Sequence, residues 1–235
     1  EPGETRTVSL GRTGWGLGPA SFWFPNVPFR PAYRAVLHRL RVRLRPDGGL
    51  PVHERTARFG FREFRVAAGR YELNGIRCNL RGDNQQEANF GTDAYGVFAG
   101  FGPPSKGNPG WPRAVENLLR LNFNVLRVHQ IPATPYMLDV CDERGLMIVG
   151  ESPVRGSERL EDFVGGREHM IAFDREMVLR DRNHPSVVLW SVGNEAWGER
   201  GLALACTAAV LAVDDTRPVI ADGVSDLGEG IVAMQ

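Results

Sequence analysis

Two adjacent polar residues, Asn194 and Glu195, follow a short apolar run in this 235-residue sequence. The run, residues 187–190, is typical of a parallel strand that is buried on both faces. It follows His184-Pro185, and a residue before proline disfavours the helical conformation, so we expect a helix to end there. The carboxyl end of a buried parallel strand is where α/β barrels place their chemistry. Taken alone, Glu195 would equally fit a helix cap or a solvated loop.

Polar residues also lie at the ends of four other predicted strands. They are Asn84, His129, Glu151 and Asp222. Because the carboxyl ends of parallel strands lie at one edge of a sheet, we expect these side chains to converge with Asn194 and Glu195. Each also has a structural alternative, and an isolated histidine in particular is often only a packed side chain.

The elements that would position these residues alternate from residue 76 onwards. Strand patterns cover residues 76–82, 124–129, 146–150, 187–190 and 218–222. Helical patterns cover residues 114–121, 135–144, 166–182 and 201–213. For the second helix, Thr134 suits the N-cap, Pro135 the first turn and Gly145 the C-terminal end.

This alternation predicts an α/β fold with a parallel sheet covered by helices. An open doubly wound sheet and an eight-stranded barrel both fit it. No glycine-rich phosphate-binding fingerprint follows the first strand, and the polar strand ends favour the barrel. About five of its eight strands are recognisable.

Residues 1–66 have a different character, with short strand patterns separated by turn residues. Strand patterns cover residues 5–10, 33–44 and 59–66. In the second of these, Leu40, Val42 and Leu44 lie on one face, and Arg41 and Arg43 on the other. Asn74-Gly75 is a hairpin signal. This part is interpreted as the end of a β-sandwich.

The composition of the chain argues against several classes of function. The chain is 42% hydrophobic and its formal net charge is zero, which argues against electrostatically driven nucleic-acid binding. No apolar run approaches the roughly 20 residues of a membrane span, and the first residues lack a signal-peptide layout. The cysteines, Cys78, Cys141 and Cys206, have neither zinc-type nor disulfide-type spacing and are expected to be buried thiols.

Several ordered segments resemble glycoside hydrolase family 2, the group of β-galactosidases, β-glucuronidases and β-mannosidases. The matching segments are residues 59–64, 73–75, 80–84, 122–129, 141–146 with Glu151, and 180–195. The last of these resembles the family's signature around its acid/base glutamate. The resemblance is strongest from about residue 59 to residue 197.

The resemblance implies a (β/α)8 TIM barrel preceded by an immunoglobulin-like β-sandwich. Residues 1–66 would be the C-terminal part of the sandwich, and residues 67–235 the first part of the barrel. The family's nucleophile, a second glutamate near the seventh strand, would lie beyond Gln235. Glu199 and Glu229 are therefore expected to be surface residues.

The resemblance also implies hydrolysis of terminal β-glycosidic bonds with retention of configuration. Glu195 would be the general acid/base. Asn194, His129, Asn84, Glu151 and Trp197 would bind the sugar, and Arg81 and Arg127 would hold carboxylates in place. Structural ion pairs are the alternative for the two arginines, and simple packing is the alternative for Trp197. The acid of such a pair needs burial and a neighbouring carboxylate to raise its pKa.

The sequence departs from the family pattern at three places. Gln86 and Gln130 stand where the family usually has histidine and often has tyrosine. The Glu-x-His magnesium motif of some β-galactosidases has no counterpart after Glu151, where Ser157-Glu158 follows without a histidine. We therefore expect no metal or other cofactor, and the identity of the sugar stays open.

A second hypothesis is a non-catalytic carbohydrate-binding or degenerate fragment, because only one of the two carboxylates is present. Under either hypothesis the expected partner is a small β-glycoside, with neither nucleic acid nor membrane. Homo-oligomer formation by the full-length protein and the cellular compartment are left open.

Overall fold

The computed structural model describes residues 3–9, 11, 13–26, 33–46, 49–50, 52–85, 102–107, 109–154, 165–195, 200–224 and 231–234. Residues 5–9, predicted as part of a strand, are irregular. Alternation alone was a misleading signal there, since a strand also needs a pairing partner. No helix in the described ranges combines the length and the apolarity that crossing a bilayer requires.

A short 3-10 helix, Pro19–Ser21, precedes an antiparallel pair of strands, β1 (His38–Leu44) and β2 (His53–Phe59). The predicted apolar face of β1 is exposed, with 53% of Leu40, 44% of Val42 and 63% of Leu44 accessible. No second sheet covers this face within the described part of the chain. An immunoglobulin-like sandwich therefore stays a prediction.

A three-stranded antiparallel sheet follows, formed by β3 (Phe64–Ala67), β4 (Arg70–Leu73) and β5 (Ile76–Arg77). Asn74 and Gly75, with φ of 51° and 75°, form the tight turn between β4 and β5, which confirms the hairpin signal. The strand predicted over residues 59–66 is broken, because β2 ends at Phe59 and β3 begins only at Phe64.

Six parallel strands form the main sheet. They are β6 (Gly82–Gln85), β7 (Val125–Val128), β8 (Met147–Glu151), β9 (Val187–Ser191), β10 (Val219–Asp222) and β11 (Ile231–Met234), in the order β11-β10-β9-β8-β7-β6. Five correspond to predicted strands, and β11 adds a sixth. The first differs in position, because residues 76–77 belong to the hairpin and the barrel strand begins at Gly82.

Four helices accompany these strands. They are α1 (Gly110–Arg120), α2 (Pro135–Arg144), α3 (Gly166–Asp181) and α4 (Arg200–Leu211). Thr134 Oγ1 accepts a hydrogen bond from Met137 N–H, and Gly145 ends α2 at φ 76°. Both predicted ends of α2 are thus confirmed.

The alternation of side chains along each strand separates two cores. The helix side contains Leu126, Ile148 and Trp190 among its buried residues. On the opposite side, Val125, Met147, Val149 and Ile220 pack with buried side chains that precede the sheet in sequence. Those preceding side chains include Trp23, Phe64 and Leu73. The inner face of the sheet is thus closed by residues from before the barrel.

Two arginines, the buried Arg217 and the partly buried Arg62, link residues at the amino-terminal end of the sheet. Arg217 donates to Val187 O at 2.7 Å and to Asp214 Oδ2 at 2.5 Å, and Asp214 also accepts from Trp190 Nε1. Arg62 donates to Pro185 O at 3.1 Å and also to Val187 O. Residues at this end of a barrel usually serve stability, and functional sites lie at the opposite, carboxyl-terminal end.

Candidate active site

Polar residues on the inward face meet at the carboxyl ends of the strands. Arg127 shares a strand face with Val125, and Glu151 shares one with Met147 and Val149, as period-two geometry requires. Apolar side chains therefore fill the lower part of the inner face, and charged ones lie above them. Arg127 is only 12% exposed and Glu151 is fully buried.

Three donors surround the Glu151 carboxylate. Arg127 Nε lies 2.5 Å from Oε2, and Ser191 Oγ donates to the same oxygen at 2.7 Å. The backbone N–H of Gln130 donates to Oε1 at 2.7 Å. A charged group without solvent is stabilised only by such pairing and hydrogen bonding. Both oxygens of Glu151 thus accept from protein donors, an arrangement that favours a supporting role over the sugar-binding role expected for it.

The second branch of the Arg127 guanidinium faces the ends of β9 and β10. Its Nη2 donates to Asn194 Oδ1 at 2.8 Å and lies 3.6 Å from Asp222 Oδ2. Arg127 therefore links the ends of β8, β9 and β10. The polar strand ends in the sequence predicted these participants, but the contacts that join them come from the fold.

The orientation of the Asn194 amide follows from these contacts. Arginine has only donors, so the atom facing Arg127 must be the amide oxygen. The same oxygen lies 2.8 Å from His129 Nε2, which must then carry a proton. Asn194 is 3% exposed, and its N–H donates to Val154 O at 2.9 Å. Its Nδ2 group is consequently directed away from both basic residues.

Two residues that follow strand ends of this group have a strained backbone. Glu195 and Gln130 have φ of 49° and 61°, in the left-handed region that residues other than glycine rarely adopt. Such strain clusters at functional sites and persists only where the surroundings enforce it. For Gln130 the enforcing contact is its N–H bond to Glu151. Glu195 itself is exposed, so the described residues do not bury it.

The structure brings only some of the predicted residues together. Asn194, His129, Glu151 and Arg127 form one hydrogen-bonded group, and Asn84 is paired with Arg127 in the β6–β7 register. Arg81 is not part of this group. Its Nε donates to Asn122 O before the start of β7, at the amino-terminal end. This position does not favour the role expected for Arg81, which was to support carboxylates at the other end.

Other predicted positions lie outside the described residues. They are Trp197, Gln86, Ser157-Glu158, Glu199 and Glu229. Ser191, by contrast, belongs to the group although no motif singled it out. The available signal was its spacing, since Ser191 directly follows the predicted strand 187–190 and precedes Asn194 by three residues.

A magnesium ion does not fit at Glu151, because its carboxylate faces an arginine, a hydroxyl and a backbone N–H. In the described part of the chain, one trio has potential ligand atoms within 4.8 Å of one another: Asp139, Asp142 and His184. Asp142 is already bonded to His184 Nδ1 and Ser186 N–H, and Asp139 pairs with Arg58. These contacts account for the trio without a metal.

A second buried carboxyl group, Asp174 on α3, lies close to the end of β8. It is fully buried, and neither oxygen has a hydrogen bond of normal geometry to a described residue. Burial raises the pKa of Asp174 to about 7, although the Cys206 thiol and the Ser152 hydroxyl lie near enough to oppose the rise. Burial also raises the pKa of Cys206. No sequence pattern had indicated this pair.

Comparison with known proteins relates this geometry to a family. Residues 113–233, just over half of the chain, match the model for "Glycosyl hydrolases family 2, TIM barrel domain". The chain is 34% identical over 212 residues to a β-glucuronidase of Pongo abelii, covering 85% of this chain and 30% of that protein. It is 26% identical over 223 residues to a β-galactosidase of Lactococcus lactis, covering 92% and 20%.

A solved structure is similar as well. A glycosyl hydrolase family 2 member from Bacteroides cellulosilyticus superposes with a TM-score of 0.65 at 26% identity, covering 83% of this chain and 26% of that one. The chain thus spans a fifth to a third of the lengths of the relatives it matches. The parallel sheet agrees with part of a TIM barrel, and the matched residues include β7 to β10 and the segment 194–195. The chain belongs to glycosyl hydrolases family 2.

Proposed function

We propose that the protein containing this chain hydrolyses terminal β-glycosidic bonds with retention of configuration, and that Glu195 is its general acid/base. The observation that carries the proposal is the fixed amide of Asn194, directly before Glu195. Arg127 and His129 hold its oxygen, so Nδ2 is left to donate. A donor beside the acid/base group suits the sugar 2-hydroxyl, where hydrogen bonds strengthen in the transition state.

The proposed mechanism is a double displacement. A carboxylate nucleophile attacks the anomeric carbon while Glu195 protonates the departing glycosidic oxygen, which gives a covalent glycosyl-enzyme. Glu195, now ionised, removes a proton from water as the water attacks the same carbon, and the sugar is released with its original configuration. The nucleophile is a second glutamate outside this chain, about 5 to 5.5 Å from the acid/base group, as in retaining enzymes generally.

The remaining assignments belong to the same proposal. Asn84, His129 and Trp197 contact the sugar, and Arg127 orients Asn194. Names of the relatives suggest β-galactosides and β-glucuronides as the first substrates to test. In this proposal residues 1–66 complete an immunoglobulin-like sandwich and residues 67–235 contribute the first part of the barrel.

The test uses the protein encoded by the complete reading frame and its Glu195→Gln variant. We expect kcat for a poor, alkoxide-like leaving group to fall by about 100-fold to 10,000-fold, because general acid catalysis contributes roughly 10² to 10⁴. A dinitrophenyl leaving group needs no proton, so its bond cleavage should be affected far less. Following the released sugar by NMR gives the stereochemistry.

Glu176→Gln is the matched control, since Glu176 is an exposed helical glutamate. It should retain wild-type rates with both leaving groups. Equal losses of kcat/KM, which reports the bond-cleaving step, with both leaving groups would refute the acid/base assignment, and so would full activity in Glu195→Gln. An initial product of inverted configuration would refute the double displacement.

A further inference from the structure

Ser191 is a fully buried serine at the end of β9. Its hydroxyl lies 2.7 Å from Glu151 Oε2 and 3.4 Å from Gly193 O. A serine has a single hydroxyl proton, and the nearer acceptor is a carboxylate, which forms the stronger bond. Ser191 therefore donates to Glu151.

The donors on Glu151 come from two separate strands. Arg127 and Gln130 belong to β7 and the residues after it, and Ser191 ends β9 on the other side of β8. The terminal torsion of a glutamate is broad when it is unrestrained. Donors from both sides remove that freedom, so the plane of the carboxylate is held in one orientation.

The orientation of Glu151 is passed on to the guanidinium of Arg127. This group is planar, so fixing Nε against Glu151 also fixes the direction of Nη2. Nη2 is the atom that holds Asn194 Oδ1 at 2.8 Å. A continuous path of hydrogen bonds therefore runs from Ser191 through Glu151 and Arg127 to the Asn194 amide.

We infer that Ser191 and Glu151 are positioning residues that keep Nδ2 of Asn194 directed at the sugar 2-hydroxyl. Neither touches the substrate. This inference rests on the proposed function and deepens it. Losing the Ser191 bond leaves Glu151 and Arg127 in place but allows them to rotate. Displacements of about 1 Å in a site can cost roughly 100-fold in rate, so the effect is measurable.

The test compares Ser191→Ala with Ser186→Ala in the protein from the complete reading frame. Ser186 lies just before β9, is equally buried, and its hydroxyl has no hydrogen-bond partner in the part of the chain that the structure describes. We expect Ser191→Ala to lower kcat by about 10-fold to 100-fold with KM changed by less than about 2-fold. Ser186→Ala should leave both constants within about 2-fold of wild type.

A second substrate separates positioning from a general structural effect. With an aryl 2-deoxy-β-glycoside, the contact from Asn194 no longer exists. We expect the rate penalty for removing the 2-hydroxyl to be about 10-fold smaller in Ser191→Ala than in wild type, because part of that contact is already lost. Equal penalties in the two proteins would overturn the inference.

Two further variants test the inference even if Ser191→Ala does not fold. Ser191→Cys retains a weak donor and should lie between wild type and alanine, and it replaces the alanine variant if that one does not fold. Glu151→Gln should lose at least as much kcat as Ser191→Ala. If the wild type is active and Ser191→Ala keeps the full kcat, the inference is overturned but the proposed function is not. A wild type without turnover of any aryl β-glycoside overturns the proposed function, and the inference with it.

Discussion

The contribution of Asp174 to the stability of the folded protein depends on whether its carboxyl group is charged. Its pKa is raised from 3.8 to about 7 in the folded protein because burial penalises the carboxylate. The folded state then holds a proton more tightly than the unfolded state. Stability therefore falls as the pH rises from about 4, and the full loss is present above about pH 7. A shift of this size corresponds to about 4 kcal/mol.

Replacing Asp174 with asparagine tests this argument. Asp174→Asn removes the ionisation but leaves a buried amide whose polar atoms cost about 1 to 3 kcal/mol at every pH if they are unsatisfied. The difference in unfolding free energy between variant and wild type should therefore move by several kcal/mol in the variant's favour between pH 4 and pH 8. Urea unfolding at a series of pH values measures it.

Asp215→Asn is the control for the loss of one negative charge, because Asp215 is exposed on the surface. It should show no comparable trend. A constant difference between Asp174→Asn and wild type from pH 4 to pH 8 would mean that Asp174 does not change its charge in this range.

At the scale of elements, residues at the two ends of α2 determine where this helix begins and ends. Thr134 Oγ1 satisfies the Met137 N–H at its first turn, and Gly145 adopts the left-handed conformation at its end. A Cβ at Gly145 would also collide with the backbone of Asn26. The end of α2 is therefore fixed both by its own conformation and by the segment that lies against it.

Substitutions at the two ends of α2 should have different costs. We expect Thr134→Ala to lower the unfolding free energy by about 1 kcal/mol, through the lost cap. Gly145→Ala should cost more than the roughly 1 kcal/mol of an ordinary glycine replacement, because strain and collision add. Thermal unfolding measures both. Thr134→Ser, which keeps the acceptor, should stay close to wild type, and a full loss there would argue against the capping bond.

At the scale of the whole molecule, the six parallel strands form an open sheet in the part of the chain that the structure describes. β6 and β11 lie at its edges. A sheet edge exposes unpaired backbone groups that invite association with another chain. The proposed site is built from the ends of β7 to β10, and our mechanism needs a second carboxylate that we place outside this chain.

We therefore expect the 235-residue chain alone to hydrolyse no aryl β-glycoside at a measurable rate. The protein from the complete reading frame, assayed in parallel at equal concentration, should be active. Calorimetry with the corresponding sugars would show whether the shorter chain still binds. Turnover by the shorter chain that disappears in its Glu195→Gln variant would contradict this expectation.

Much of the architecture could be predicted because its signals are local. His184-Pro185 precedes β9, Thr134 and Gly145 bound α2, and the apolar run at residues 187–190 becomes a buried strand. Strand β11 was not anticipated. The error at β6 has a similar origin. Residues 76–82 have the pattern of one strand, but residues 76–77 belong to the hairpin sheet and Gly82 belongs to the parallel sheet. Pairing is not visible in a single segment.

The sequence by itself determined the order of strands and helices and the polar strand end at Asn194 and Glu195. These depend on side-chain periodicity, proline and glycine, which act over a few residues. Only the tertiary structure decided that Ser191, Glu151 and Arg127 join to orient Asn194, and that Arg81 lies at the opposite end. The physical reason is that hydrogen bonds between strand ends link residues up to 67 positions apart, and their partners are selected by register and by the direction in which each side chain points.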